Sequence, residues 1–472
     1  MANNCQISTP KKYVSQMLKY AKYKENIFGK RVLENSCGEG NVLTEIVKNY
    51  IKDARKKKIS EDKILYGLEH DIIAYEIDKN KIKVCTSKLD KIVQKMGFEH
   101  VKWNIRNEDF LKHPIEKYDY IIGNPPYITY HNLSENDRLY LKENFVSCQE
   151  GRFDYSYAFI EASIKSLEEN GKLIYLVPYS VIKNKFANKL RKYMALFITG
   201  IYDYTGIKVF PDAITSSVIL LMENKKNKKN FEYYGMLNKS KRRIPRTNLK
   251  GKWKFVDEEG IGEERFGDHF EVCNSVATLF NKAYVIENFT LKGKYYYVDG
   301  KPIEKEIVFP AISTKSYNRT RRDAKNVTAI IFPYKIESGI VEHYSQNDFE
   351  KKFPKATSYL QTHITELNDR KHDKNALWFE YGRSQAVNRV FGEKLVIPMV
   401  ITNNVPVCRA SANMIPYAGY FVKCTENPTM TLEKAKEILE SKEFYDYVKT
   451  YGTPTTPTSY RISVDDIKEY RF

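Results

Sequence analysis

The 472-residue chain has no run approaching the ~20 apolar residues of a membrane span, and its amino terminus has no apolar leader. A soluble, cytoplasmic protein without a membrane partner is therefore expected. Its seven cysteines, at positions 5, 37, 85, 148, 273, 408 and 424, never form a CxxC, which excludes a zinc ribbon and a disulfide framework. There is no HExxH, and no metal site is expected. No internal repeat is apparent, so the length points to two or three ordinary domains. Acidic residues are the minority. Lys and Arg number 77 against 59 Asp and Glu, giving a formal charge of +18. That balance suits a polyanion, although a lysine-rich proteome would produce it too.

The chain is organised around YDYIIGNPPY, residues 118–127. Tyr118 to Ile122 reads as a buried strand. Gly123 and two prolines stop it, because proline fixes φ and cannot continue a ladder. A rigid loop at the carboxyl end of a strand is where open α/β sheets bind ligands. The Asn124 side-chain oxygen and the Pro125 carbonyl can each accept one N–H of an exocyclic amine. Pro126 stiffens the turn, and Tyr127 can stack on a planar ring. Asn-Pro-Pro is also an ordinary turn, so the rest of the chain must decide.

Ser8-Thr9-Pro10 precedes a helical pattern, with Thr9 or Ser8 as the expected N-cap and Pro10 as the first helical residue. RVLENSCGEGN (31–41) reads as strand, glycine turn and helix. It is neither the GxGxxG fingerprint nor a Walker loop. Glu34 would repel a pyrophosphate but pair with an amine, so an amino-acid-bearing nucleoside fits better than NAD or ATP. A second strand ends at Glu76, placed to accept from ribose hydroxyls. Residues 101–106 form a third strand, followed by Asp109 and Phe110. These could meet an adenine, or equally cap a helix and fill a core. Residues 131–149 read as a polar loop near the site. Strands at 171–178, 200–204 and 216–222 follow, alternating with helices in the manner of a parallel α/β sheet. Pro211-Asp212 with Glu223-Asn-Lys225 imitates a nuclease PD…ExK pattern, but both halves already have places in the sheet.

Residues 231–237 read as one more strand of the sheet. SKRRIPR (240–246) through 262 is basic and proline-broken and reads as a linker. From Phe266 onward strands and helices stop alternating. RTRR (319–322) is a basic cluster, and LWFEYGRSQ (377–385) mixes aromatics with Arg383 and Gln385. Arginine binds guanine edges or phosphate, and glutamine binds adenine.

Taken together, STP, ENSCGEGN, AYEID, NEDFL, YDYIIGNPPY, FDYSYAFIE, GKLIYLVP and VFP…SSVILL resemble the ordered motifs of class I S-adenosylmethionine methyltransferases. More closely, they resemble the gamma-type N6-adenine DNA methyltransferases of restriction–modification systems. FGD, VAT with Asn281, IIFPYK, LWFEYGRSQ and KLVIP are similar to the recognition domains of that group. The resemblance implies a doubly wound, mostly parallel sheet at 1–240, a linker at 241–262, and a mixed α+β target-recognition domain at 263–472. One departure is Asn35, where the family usually has proline; altered loop stiffness is expected.

The resemblance implies that Thr9 and Glu34 hold the methionine end of S-adenosylmethionine, with Ser36, Cys37 and Gly38 lining it. Glu76 and Ile77 would meet its ribose and adenine, and Asp109 and Phe110 its adenine. Asn124 and Pro125 would grip the target amine, within the catalytic turn completed by Pro126 and Tyr127. Tyr127 and Phe210 would stack on or buttress the target base. Arg319, Arg321, Arg322, Arg383 and Gln385 would face duplex DNA. It further implies a monomer and leaves room for a restriction endonuclease encoded separately. The same loop also serves RNA-base and protein-glutamine methyltransferases. An idle nucleic-acid-binding subunit would have no need to keep both the Glu34–Gly40 and Asn124–Tyr127 motifs.

Overall fold

The computed structural model describes residues 8–210, 216–225, 229–249, 251–253, 255, 262–322, 327–337 and 340–472. It divides into two compact units, Met1–Asp257 with Thr453–Thr458, and Glu258–Gly452 with Ser459–Phe472.

Among the described residues the first unit is built on a sheet of nine strands: β1 (Val32–Glu34), β2 (Ile72–Tyr75), β3 (Asn104–Arg106), β4 (Tyr118–Gly123), β5 (Leu167–Pro178), β6 (Ile198–Asp203), β7 (Ser217–Glu223), β8 (Asn230–Gly235) and β9 (Ser240–Pro245). Their order is β3-β2-β1-β4-β5-β7-β6-β8-β9. The pairs from β3 to β5 are parallel, and β7 runs antiparallel to both β5 and β6. Successive residues enter cores on opposite faces. Leu33, Ile121, Leu173 and Leu220 go to one; Val32, Ile122, Ile174 and Ile219 go to the other. A strand buried on both sides reads as an unbroken apolar run, which is why these were visible in the sequence. Helices α1 (Lys11–Ala21), α2 (Asn41–Lys56), α3 (Glu61–His70), α4 (Lys79–Gln94), α5 (Glu135–Asn144) and α6 (Ser156–Lys165) pack around it.

Three expectations are corrected here. Pro10 is itself the N-cap residue of α1, and no side chain caps that helix. Residues 131–149 are not a loop, because they contain α5, capped where the Ser134 hydroxyl accepts from the Asp137 N–H at 3.1 Å. The stretch from 240, read as a linker, is β9, paired antiparallel to β8 from Ser240 to Pro245. Pro211 and Asp212 lie outside the described residues.

The second unit is mixed α+β. One antiparallel sheet joins Phe270–Asn274, Tyr420–Cys424, Lys394–Ile397 and Cys408–Ala410. Another joins Val285–Ile286, Ala329–Ile331, Val308–Ile312 and Ile415–Pro416, the last pair parallel. Thr290–Lys292, Tyr295–Val298 and Lys301–Glu304 form a small meander. Among the described residues no helix is long and apolar enough to cross a membrane.

Candidate active site

The strand order reverses between β1 and β4, so the loops leaving their carboxyl ends diverge and open a crevice there. β1 delivers Glu34 to it, and β4 delivers Asn124. One pocket gathers Ser8, Thr9, Glu34, Ser36, Cys37 and Gly38 with Asn124, Pro125, Pro126 and Tyr127. Nine of the residues singled out by sequence therefore meet on one surface.

The glycine loop is held from several sides. Gly38 donates to the Glu76 carboxylate at 2.9 Å, and the Cys37 N–H donates to the Tyr75 carbonyl at 3.0 Å. The other Glu76 oxygen accepts from the Asp78 N–H at 3.0 Å. Glu76 thus ties the ends of β1 and β2 together, and its carboxylate keeps further lone pairs for a ligand. The Ser36 hydroxyl donates to the Asn124 carbonyl at 3.1 Å, which links this loop to the turn after β4.

Glu34 is 2% exposed, and its Oε2 has no hydrogen-bond partner. Burial raises its pKa well above the ordinary carboxylate range, the nearby Cys85 and Glu76 add to this, and the Leu43 N–H offsets it in part. A buried carboxyl with one oxygen left unpaired on a pocket wall suits a cationic ligand. The residues therefore fit the amino and sulfonium groups of S-adenosylmethionine.

At the turn itself, the Tyr127 hydroxyl meets the Asn124 side-chain oxygen and the Leu176 carbonyl, the latter at 2.5 Å. Burial lifts the Tyr127 phenol well above its ordinary range, with a smaller push from Asp154. Asp154 accepts from the Ser156 N–H at 2.9 Å and from its hydroxyl at 2.6 Å, and burial lifts its carboxyl to about 6.

Other expected residues stand differently. Ile77 is 51% exposed. Asp109 caps its own short helix by accepting from Leu111 N–H at 3.0 Å, and Phe110 packs against Tyr75 and Phe159. For this pair the capping and core roles are the ones observed. Phe210 is 1% exposed within the core, so its ring offers no open face to a base, and of its two expected roles stacking is not open to it while buttressing is. Arg383 and Gln385 are exposed in the second unit. The side chains of Arg319, Arg321 and Arg322 lie outside the described residues.

Sequence reasoning missed Asn41, Val42 and Lys81 on the pocket wall. It also missed what replaces the family proline. Asn35 donates to the Ser163 hydroxyl at 2.9 Å and accepts from the Tyr175 hydroxyl at 2.7 Å, and those two hydroxyls meet at 2.7 Å.

A parallel sheet with antiparallel β7 inserted between β5 and β6, carrying a glycine loop after β1 and an acidic end on β2, is a class I methyltransferase fold. Residues 14–210 match the family model described as Eco57I restriction-modification methylase. The chain is 24% identical over 545 aligned positions to the Type II restriction enzyme and methyltransferase RM.Eco57I of Escherichia coli, covering 94% of this chain and 54% of that protein. It is 30% identical over 201 positions to the Type II methyltransferase M.HincII of Haemophilus influenzae, covering 39% of this chain and 37% of that protein. The chain thus spans about half the length of the first relative and little over a third of the second. Among solved structures it resembles the Type IIL restriction-modification enzyme MmeI in complex with DNA. There the TM-score is 0.59 at 12% identity, over 97% of this chain and 64% of that one.

Proposed function

We propose that this chain is a site-specific DNA methyltransferase that transfers a methyl group from S-adenosylmethionine to adenine N6. The observation that carries the reading is the meeting, in one pocket, of a buried carboxyl with one unpaired oxygen and an Asn-Pro-Pro-Tyr turn. The first suits a cationic methyl donor and the second suits a planar amine. The names of the relatives support DNA as the substrate, and the basic charge of the chain agrees with it.

S-adenosylmethionine, when bound, supplies a methyl group on positively charged sulfur. Thr9, Glu34, Ser36, Cys37 and Gly38 would hold its amino-acid end. Glu76 would accept from its ribose, with Ile77 and Asp109 beside its adenine. The target adenine must leave the duplex, at an unstacking cost of a few kcal/mol. Its amine lone pair is delocalised and weakly nucleophilic. Asn124 and Pro125 accept the two N–H groups, which favours a pyramidal nitrogen and localises the pair. Tyr127 stacks on the ring and fixes its plane. The departing proton goes to water. Positioning and electrostatics supply the rate. The second unit would select the target site.

The test is transfer of labelled methyl to unmethylated genomic duplex DNA, with total RNA and protein extract in parallel, followed by nucleoside digestion. N6-methyladenine in DNA is expected. N4-methylcytosine, label confined to RNA or protein, or no transfer at all would overturn the proposal.

A further inference from the structure

Leu279 adopts φ +57°, a left-handed conformation that costs an L residue energy unless its surroundings enforce it. They do. The Thr278 carbonyl accepts from the Gly382 N–H at 3.1 Å and from Arg370 at 2.5 Å. The Thr278 hydroxyl donates to the Asn281 side chain at 2.5 Å and accepts from the Phe280 N–H at 3.1 Å. On the other side, the Arg383 N–H donates to the Ala277 carbonyl at 3.1 Å. A rigid, strained turn results, and the side chain it presents is an apolar one that is 44% exposed.

That side chain has a built seat. It lies across Gly382, where an added Cβ would come within 2.8 Å of the Leu279 side chain. The next residues along are Arg383 and Gln385, both exposed. The Arg383 guanidinium makes no hydrogen bond or ion pair among the described residues. A third segment is tied in, because the Asp373 N–H donates to the Gly382 carbonyl at 2.8 Å. It brings exposed Lys371, His372 and Lys374. Asp373, the acid among them, is turned onto the Ser384 N–H at 3.1 Å.

We propose that Leu279 is an apolar tooth that enters a groove of duplex DNA and meets base edges, while Arg383 and Lys374 hold the flanking phosphates. The proposal rests on DNA being the substrate. A small anion would have no use for the leucine, and an apolar protein surface would have none for the cations. Duplex DNA uses both: phosphates outside, and within the groove thymine methyls and base steps that accept apolar wedges. A residue meeting base edges on a rigid turn takes part in choosing the site.

The test uses the full chain, genomic duplex DNA, and sequencing of the methylated positions. Leu279→Ala and Leu279→Gly are expected to keep cofactor affinity, and the glycine variant to melt no lower than wild type because the strain is relieved. Both are expected to lower the rate on duplex DNA about tenfold and to broaden the set of modified sites. Arg383→Ala is expected to weaken DNA binding across all sequences and to flatten its salt dependence. A Leu279→Ala enzyme with the wild-type rate and the wild-type site set overturns the proposal. Failure of the wild type to methylate DNA would instead remove the DNA reading on which it rests.

Discussion

The Tyr127 hydroxyl occupies the Asn124 side-chain oxygen, the acceptor that a target amine would need. A phenol has one hydrogen, so Tyr127 donates at any moment to Asn124 or to Leu176, not to both. In either case the amide faces a tyrosine and not a base. Substrate entry must displace this contact, and the freed ring is then available for stacking. Tyr127→Phe keeps the ring and removes the contact. It is expected to retain turnover within a few-fold of wild type, whereas Tyr127→Ala should lose about tenfold to a hundredfold, near the stacking worth of one base. Cofactor affinity, measured by titration calorimetry, should change in neither. A phenylalanine enzyme as weak as the alanine one would show that the hydroxyl acts in catalysis.

Glu34 gives a signed pH prediction. In the unfolded chain it titrates near the ordinary glutamate value of 4.5, and in the folded, cofactor-free chain burial lifts it well above that. Over that interval the native state holds a proton that the unfolded state has lost, so stability falls as pH rises. Cofactor-free wild type should therefore lose melting temperature on going from about pH 4.5 upward faster than Glu34→Gln does. The two should converge at acid pH. In return the glutamine variant should bind S-adenosylmethionine about tenfold to a hundredfold less tightly, the loss of a charge-assisted hydrogen bond. Parallel slopes would mean that Glu34 is charged and partnered without ligand.

What could be read in advance followed from burial. β4 and β5 are covered on both faces over Ile121–Gly123 and Leu173–Val177, so the sequence there must be apolar, and a glycine or a proline marks where each run ends. β9 was misread for the opposite reason. It is the last strand of the sheet, with only Ile244 buried in it, Lys241 and Arg243 exposed, and Arg242 half-buried with its guanidinium on the Phe255 carbonyl. Edge strands carry such charges to prevent further pairing, and the result has the composition of a linker. α5 was hidden in the same way, with only Leu141 buried along its length. At the site, residue types were legible but contacts were not. Nothing in the spacing tells that Phe210 turns inward, or that Ser36 bonds the Asn124 backbone.

Asn35 shows how a departure from a family pattern is absorbed. Proline would stiffen the loop by its ring; here a buried asparagine, 2% exposed, does so through Ser163 and Tyr175. Asn35→Ala leaves the two hydroxyls facing each other without their third partner. Denaturant unfolding is expected to show a loss of about 1–3 kcal/mol, the cost of leaving a buried polar group unsatisfied. Cofactor affinity should fall less than in Glu34→Gln, because Asn35 does not line the pocket. A variant as stable as wild type would mean that water replaces the amide.

Gly40 is required twice over, and the two requirements can be separated. Its φ is +81°, and a Cβ there would lie 2.5 Å from Cys85 Sγ. Cys85 is fully buried on α4, so it has no room to withdraw. Gly40→Ala should therefore cost about 1–3 kcal/mol for the backbone conformation plus a further overpacking cost of similar size. Because the loop it closes carries Cys37 and Gly38, cofactor binding should weaken alongside. Cys85→Ala removes the collision but not the strain. The double variant should then be less destabilised than the sum of the two single ones, with a coupling of about 0.5–3 kcal/mol. It should still fall short of Cys85→Ala alone by the cost of the left-handed backbone. Strict additivity in urea unfolding would show that the close approach to Cys85 contributes nothing and that conformation alone demands the glycine.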